Sequence, residues 1–200
     1  MLRIPFRSTC LAAVIALSAL LAACSDRSPV FHSTDITGAD YGKTLALTDH
    51  AGHARTLADF RGKAVTLFFG YTQCPDVCPT NLVTMAEVMR QLGADAERLQ
   101  VLFVTVDPER DTQALLSQYV PAFDARFLGL YGTAEQTADV AREFRVFYRK
   151  SGDTSGSTYT IDHSAGTYVF DPAGRLRLYV KHGEPADKLA DDIRQLLAGR

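Results

Sequence analysis

Three short, almost unbroken apolar runs, at residues 64–69, 101–106 and 167–170, constrain this 200-residue chain more than any other feature. Each is rich in β-branched or aromatic residues and is bounded by glycine, proline or aspartate, the marks of a strand buried on both faces. Such strands need a sheet covered above and below, and the chain supplies helices to cover it. Leu82, Met85, Ala86, Met89 and Leu92 recur at helical spacing between the first two runs, with Gly93 as the stop. A strand, a helix and a strand within about 40 residues form a right-handed βαβ unit.

The rest of the body fits around that unit. Residues 112–120 read as a helix capped by Asp111 and stopped by Pro121, and Thr133 with Gln136 is a capping-box start. Residues 146–150 and 158–161 can pair across the Gly/Ser-rich stretch 151–157. Asp171-Pro172-Ala173-Gly174 is a turn between residues 167–170 and 176–180, which gives a second hairpin. Pro185 opens a last helix that buries Leu189, Ala190, Ile193, Leu196 and Leu197. This order of elements predicts an α/β, thioredoxin-like fold, a central mixed sheet flanked by helices, in a single domain over residues 39–200. With 46% hydrophobic and 22% charged residues, a collagen-like or wholly disordered chain is excluded. A net charge of −2 gives no electrostatic basis for binding nucleic acid.

At the N-terminus, Arg3 and Arg7 precede thirteen residues, 11–23, whose one polar member is Ser18. That length suits a signal peptide and is short of the roughly 20 residues of a bilayer span. The run ends Leu21-Ala22-Ala23-Cys24, which is similar to the bacterial lipobox. The expectation is a lipoprotein signal peptide over residues 1–23, a lipid-bearing Cys24 and a flexible tether over residues 24–38; the alternatives are an ordinary signal peptide or an uncleaved anchor. Export places the body in an oxidising compartment, where a thiol pair forms a disulfide unless it is kept reduced.

Of the four cysteines, Cys10 and Cys24 fall in that N-terminal segment, which leaves Cys74 and Cys78. They stand in Cys74-Pro75-Asp76-Val77-Cys78-Pro79, directly after the first buried strand and before its helix. A following proline disfavours helical backbone, so both cysteines are expected outside the helix, with Pro79 at its first position. Two sulfurs at a helix N-terminus meet positive helix-end charge and free N–H groups, which favour anionic sulfur. The pair therefore suits a reducible dithiol and a soft-metal site equally. Thioredoxin-like oxidoreductases carry two residues between their cysteines and a cis-proline opposite; here three residues intervene, and residues 161–170 contain no proline. They contain His163 instead, just ahead of the strand that neighbours the cysteine strand in such a fold. Two thiolates and an imidazole suit copper in either oxidation state, and zinc as well. A redox disulfide and a purely structural disulfide stay open on the residues alone.

The chain resembles the Sco/SenC family of copper-binding proteins in three separated stretches. They are Phe69-Gly70-Tyr71-Thr72-Gln73-Cys74-Pro75-Asp76-Val77-Cys78-Pro79, then Val106-Asp107-Pro108-Glu109-Arg110-Asp111-Thr112, then Asp162-His163-Ser164. Residues 140–148 are similar as well, and the resemblance covers residues 40–198 in consistent order. It implies that Cys74, Cys78 and His163 ligate one copper ion, Cu(I) or Cu(II), and that the protein delivers copper to the CuA centre of cytochrome c oxidase during assembly. The partners implied are the CuA-bearing subunit, an upstream copper donor and a thiol reductant. Some members instead reduce the CuA cysteines, which makes a membrane-tethered thiol–disulfide oxidoreductase using Cys74 and Cys78 the alternative; no catalytic residue beyond that pair is implied. A peroxidase of related fold would match Thr72-Gln73-Cys74 but leaves Cys78 and His163 without a role. Gln73 stands where many members have histidine and is not counted as a ligand.

Asp107 follows the second buried strand at the same sheet edge as the cysteines. It reads either as a group supporting the metal ligands or as a turn residue. Arg110 and Asp111 read as a local ion pair and a helix cap, and Asp76 as an exposed loop carboxylate. His32, His50, His53 and His182 read as solvated, and Tyr71, Phe103, Tyr168 and Phe170 as core. The expected setting is the bacterial cell envelope, with a monomer lipid-anchored to a membrane and its domain facing the periplasm or the outer side of the cytoplasmic membrane.

Overall fold

Two strands in which every residue is buried occupy the middle of the sheet. In the computed structural model, which describes residues 29–154, 156 and 158–200, they are β4 (Ala64–Gly70) and β9 (Thr167–Phe170). The remaining strands are β1 (Thr34–Asp35), β2 (Ala46–Asp49), β3 (Ala54–Thr56), β5 (Leu99–Thr105), β6 (Leu128–Tyr131), β7 (Tyr148–Ser151), β8 (Thr160–His163) and β10 (Leu176–Val180). Eight of them form one sheet in the order β1-β10-β9-β4-β5-β6-β2-β3, while β7 and β8 pair only with each other. β4 runs parallel to β5, with Phe68 opposite Phe103, and antiparallel to β9, with Leu67 opposite Tyr168. This is the mixed, thioredoxin-like sheet expected from the order of elements.

Among the described residues, four α-helices accompany the sheet: α1 (Val77–Leu92), α2 (Gln113–Tyr119), α3 (Ala134–Glu143) and α4 (Ala186–Leu197). α1 packs on α4; Leu82, Met85, Val88 and Met89 of the one helix and Leu189, Ala190, Ile193 and Leu196 of the other are buried. Ala86, expected on the apolar face of α1, is only half-buried, and Val88 takes its place in the core. α3 starts on the capping box read from Thr133 and Gln136, with each side chain accepting the other's backbone N–H.

Several expectations need correction. A flexible tether is expected through residue 38, but Thr34–Asp35 pair with Tyr179 and Leu178, and the Asp192 carboxylate accepts the N–H groups of His32 and Ser33. The compact unit that holds the sheet begins at Phe31, where a buried acid in α4 binds the backbone. Asp111 does not cap α2; Thr112 does, with its side chain accepting the Leu115 N–H. α1 begins at Val77, so Cys78 is helical and Pro79 is the third helical residue rather than the first. Proline is still at no disadvantage there, because the Thr80 N–H is the one that closes the first turn, on the Asp76 carbonyl. β1, β2, β3 and β6 were not foreseen. His50, read as solvated, is half-buried and accepts the Gly129 N–H through Nδ1.

The hairpins β2–β3 and β9–β10 turn on one device. Asp49 accepts the N–H groups of Ala51 and His53 through one oxygen and the Arg55 guanidinium through the other. Asp171 likewise accepts the N–H groups of Ala173 and Arg175, with Arg175 and Arg177 on its second oxygen. Asp-x-Ala-Gly-x-x-Arg is the shared sequence of both turns.

Candidate metal centre

β4 ends at Gly70, and the backbone continues through Tyr71 to the cysteine loop before entering α1. A hydrogen bond from the Cys74 N–H to the Tyr71 carbonyl tightens that loop. Cys78, in the first turn of α1, is fully buried, whereas Cys74 is half-buried at the lip of an open cleft of about 410 Å³. Helix entry aims the Cys78 N–H at the Cys74 sulfur, at 3.4 Å, so a helix-end donor faces the sulfur that reaches solvent. Gly70 leaves the room for this: a Cβ there would lie 2.9 Å from the Cys78 sulfur and 2.8 Å from the Phe68 and Phe103 rings.

His163, the last residue of β8, closes the group. Its Nε2 lies 3.4 Å from Cys78 Sγ, and its Nδ1 lies 3.0 Å from the Ser164 carbonyl. A carbonyl can only accept, so Nδ1 carries the proton and the Nε2 lone pair is directed at the sulfurs. That is the tautomer a metal-ligating histidine requires, with its other nitrogen oriented by a backbone carbonyl. Phe68 and Tyr71 hold the ring edge-on, at centroid separations of 5.9 and 6.0 Å. The ligand atoms of Cys74, Cys78 and His163 lie within 4.8 Å of one another, and both cysteines are free thiols.

The electrostatics favour neutral groups until a cation arrives. Burial pushes the Cys78 thiol far up, and a hydrogen bond to Cys74 and the nearby Asp111 charge act in the same direction. Burial also pulls His163 below the usual imidazole range, against the opposing effects of the Ser164 carbonyl and Asp162. A neutral imidazole is ready to ligate, and a buried thiol gives up its proton to a metal that compensates the charge.

The supporting acids are arranged differently from the sequence reading. Asp107 touches none of the three ligands. Its buried carboxylate accepts the Tyr159 hydroxyl at 2.8 Å and pairs with Arg110 Nε. Its carbonyl accepts the N–H groups of Arg110 and Asp111, so it is the turn residue as well. Asp111, read as a cap, is the carboxylate whose charge reaches Cys78. Thr72 donates to it from both N–H and Oγ1, and Thr105 Oγ1 donates at 2.6 Å. Gln73 turns away from the sulfurs to accept from Arg110. The sequence reading missed Asp111, Arg110 and Tyr159 as parts of this centre. Three polar residues at spacings set by tertiary contact carry no local signal. Cys24, expected to carry a lipid, and residues 1–23, expected to be a signal peptide, lie outside the described residues.

Residues 33–198 match the sequence model of the SCO1/SenC family. A bovine mitochondrial SCO2 homolog is 43% identical over 156 residues, 77% of this chain and 59% of that protein. A SCO2-like protein of Rickettsia felis is 35% identical over 159 residues, 79% of this chain and 76% of that one. The chain thus spans less than two thirds of the mammalian relatives it matches. Among solved structures, Bradyrhizobium japonicum ScoI with copper bound has 39% identity and a TM-score of 0.72, covering 79% of this chain and 99% of that one. The apo Sco1 protein of Thermus thermophilus has 38% identity and a TM-score of 0.75, covering 84% and 97%.

Proposed function

The chain belongs to the SCO1/SenC family, and on that premise we propose that it is a copper chaperone that carries one copper ion on Cys74, Cys78 and His163 and hands it to the CuA centre during cytochrome c oxidase assembly. The observation that carries this reading is the convergence of two thiols and a correctly tautomeric imidazole at the mouth of a solvent-open cleft. Thiolates suit Cu(I), and the imidazole lets the same set accept Cu(II). The copper held by a 39%-identical relative supports copper over zinc.

The unequal burial of the sulfurs suggests an order of transfer. An incoming thiolate of the acceptor reaches copper past half-exposed Cys74, which leaves with its electron pair, and buried Cys78 lets go last. Cu(I) keeps its oxidation state throughout, so the exchange needs both cysteines reduced.

The same asymmetry favours a second reading as a thiol–disulfide oxidoreductase. Cys74 would attack a partner disulfide, forming a mixed disulfide and releasing one partner thiolate. Cys78 would then attack the Cys74 sulfur and release the second. Two electrons pass to the partner, the chain ends as the Cys74–Cys78 disulfide, and a thiol reductant restores it.

Localisation belongs to this proposal. No described helix is long and apolar enough to cross a membrane. We assign the anchor to a lipid on Cys24 after removal of residues 1–23, with the domain in the bacterial cell envelope; loss of membrane fractionation in Cys24→Ser tests that assignment.

Copper titration of fully reduced residues 25–200 against a Cu(I) chelator, without oxygen, tests the chaperone reading. One tightly held copper is expected, with affinity falling in His163→Ala by at least the roughly 10- to 100-fold that removing a group which merely orients a ligand costs. Binding indifferent to His163→Ala would overturn the three-residue site, and retained disulfide reductase activity in that variant would favour the oxidoreductase.

A further inference from the structure

The residue that should set the copper site's quality most strongly without touching the metal is not on the ligand strand. His163 ends β8, which pairs with β7 in a two-stranded ribbon outside the main sheet. An isolated two-stranded ribbon is marginal in water, so side-chain ties must fix where it stands. The main tie converges on Arg110. Its Nη1 donates to the Tyr159 carbonyl at 2.8 Å, four residues before His163, and to Gln73 Oε1 at 3.1 Å, one residue before Cys74. Its guanidinium lies 3.6 Å over the Tyr159 ring and 5.7 Å from the Tyr71 ring centroid. Asp107 holds the fork through Nε and also accepts the Tyr159 hydroxyl. Tyr71 adds the last link, since its hydroxyl accepts the Ile161 N–H at 3.1 Å while its ring borders His163.

Resting on the copper-site reading above, we infer that Arg110 is the positioning residue that sets His163 against Cys74 and Cys78, by clamping the β7–β8 ribbon to the cysteine loop. A planar fork that donates to Asp107, Gln73 and the Tyr159 carbonyl while stacking on an aromatic ring is a task for arginine and not for lysine. The clamp acts on the distance between the imidazole and the sulfurs, so its loss leaves the thiolates able to bind copper and takes the histidine out of place.

The test compares Arg110→Met, Arg110→Lys, His163→Ala and the double variant Arg110→Met/His163→Ala in Cu(I) competition and in the thiolate-to-Cu(II) absorption and electron paramagnetic resonance spectra. Arg110→Met is expected to lose about 10- to 100-fold in affinity, the range seen when a group orienting a metal ligand is removed. Its Cu(II) spectrum should shift to that of His163→Ala, and Arg110→Lys should not restore it. In the His163→Ala background the same change should cost less than about 2-fold, because the two act through one ligand. An unchanged spectrum, or an equal loss with and without His163, would overturn the inference by making Arg110 general support.

Amide hydrogen exchange of metal-free protein decides separately from copper. Faster exchange over residues 159–163 in Arg110→Met is expected, and unchanged exchange there overturns the clamp. A parent that holds no His163-dependent copper would sink the copper reading, with this exchange result still deciding Arg110. Should Arg110→Met alone fail to fold with Asp107 left unpaired, Arg110→Met with Asp107→Asn removes that buried charge and carries the same comparison.

Discussion

Gly70 shows how a single atom group is excluded to make a site. Its missing side chain leaves the space on which the Cys78 sulfur and the Phe68 and Phe103 rings all close. Gly70→Ala is expected to cost about 1–3 kcal/mol, the range for overpacking a core. It should also weaken copper binding, because the Cys78 sulfur is the neighbour able to yield; a chelator competition beside a urea titration checks both. Copper affinity equal to the parent's would contradict the role given to this glycine. At this scale the sequence was partly legible. Cys74, Cys78 and His163 were recoverable because a proline-flanked cysteine pair between a strand and a helix is a local pattern, and because neighbouring strands bring His163 to it. Asp111 was not recoverable: its partners Thr72 and Thr105 sit on segments that meet only in the fold, and the same residue before a helix reads as a cap.

Among the elements, the buried strands were read within one or two residues, since an apolar run between breakers has few alternatives. The edge strands β1 and β3, and β2 beside β3, were missed because they are short, largely polar and in part exposed, which leaves alternation too weak to see. α4 carries the clearest exception to its own pattern. Asp192 is fully buried on its apolar face, and the reason lies 160 residues away in the N–H groups of His32 and Ser33. Asp192→Ala leaves those donors without an acceptor and is expected to cost about 1–3 kcal/mol, the penalty for unsatisfied buried groups. It should also release β1 from β10, read as rapid amide exchange at residues 33–36. Retained protection there would place the anchoring of this segment elsewhere. The expectation of a tether through residue 38 overlaps β1 for the same reason: a buried acid in a distant helix cannot be seen from residues 31–38.

Taken as a whole, the molecule depends on two acid-braced hairpins and on one ribbon carrying a ligand. Burial alone would raise the Asp49 carboxyl, but the N–H groups of His53 and Ala51 and the Arg55 guanidinium outweigh it and hold the carboxyl below its ordinary 3.8. Asp171 is likewise lowered, against burial, by Arg175 and Arg177. A folded pKa below the unfolded one means that the unfolded chain binds more protons. Stability from both groups is therefore complete above about pH 4 and is lost as pH falls through the folded values. Urea midpoints of the parent should drop through that acid window, and Asp49→Asn with Asp171→Asn should lower stability at neutral pH and flatten the acid limb. A parent midpoint that stays level below pH 4 would remove these hairpins from the acid response. Against this scaffold, the central claim is that one copper ion sits between two sulfurs and one imidazole. X-ray absorption at the copper edge on reduced, singly loaded protein tests it most directly. Two sulfur scatterers and one imidazole nitrogen, with the nitrogen lost in His163→Ala, are the predicted result; a copper surrounded by oxygen or nitrogen alone, or an environment unchanged in that variant, would contradict it.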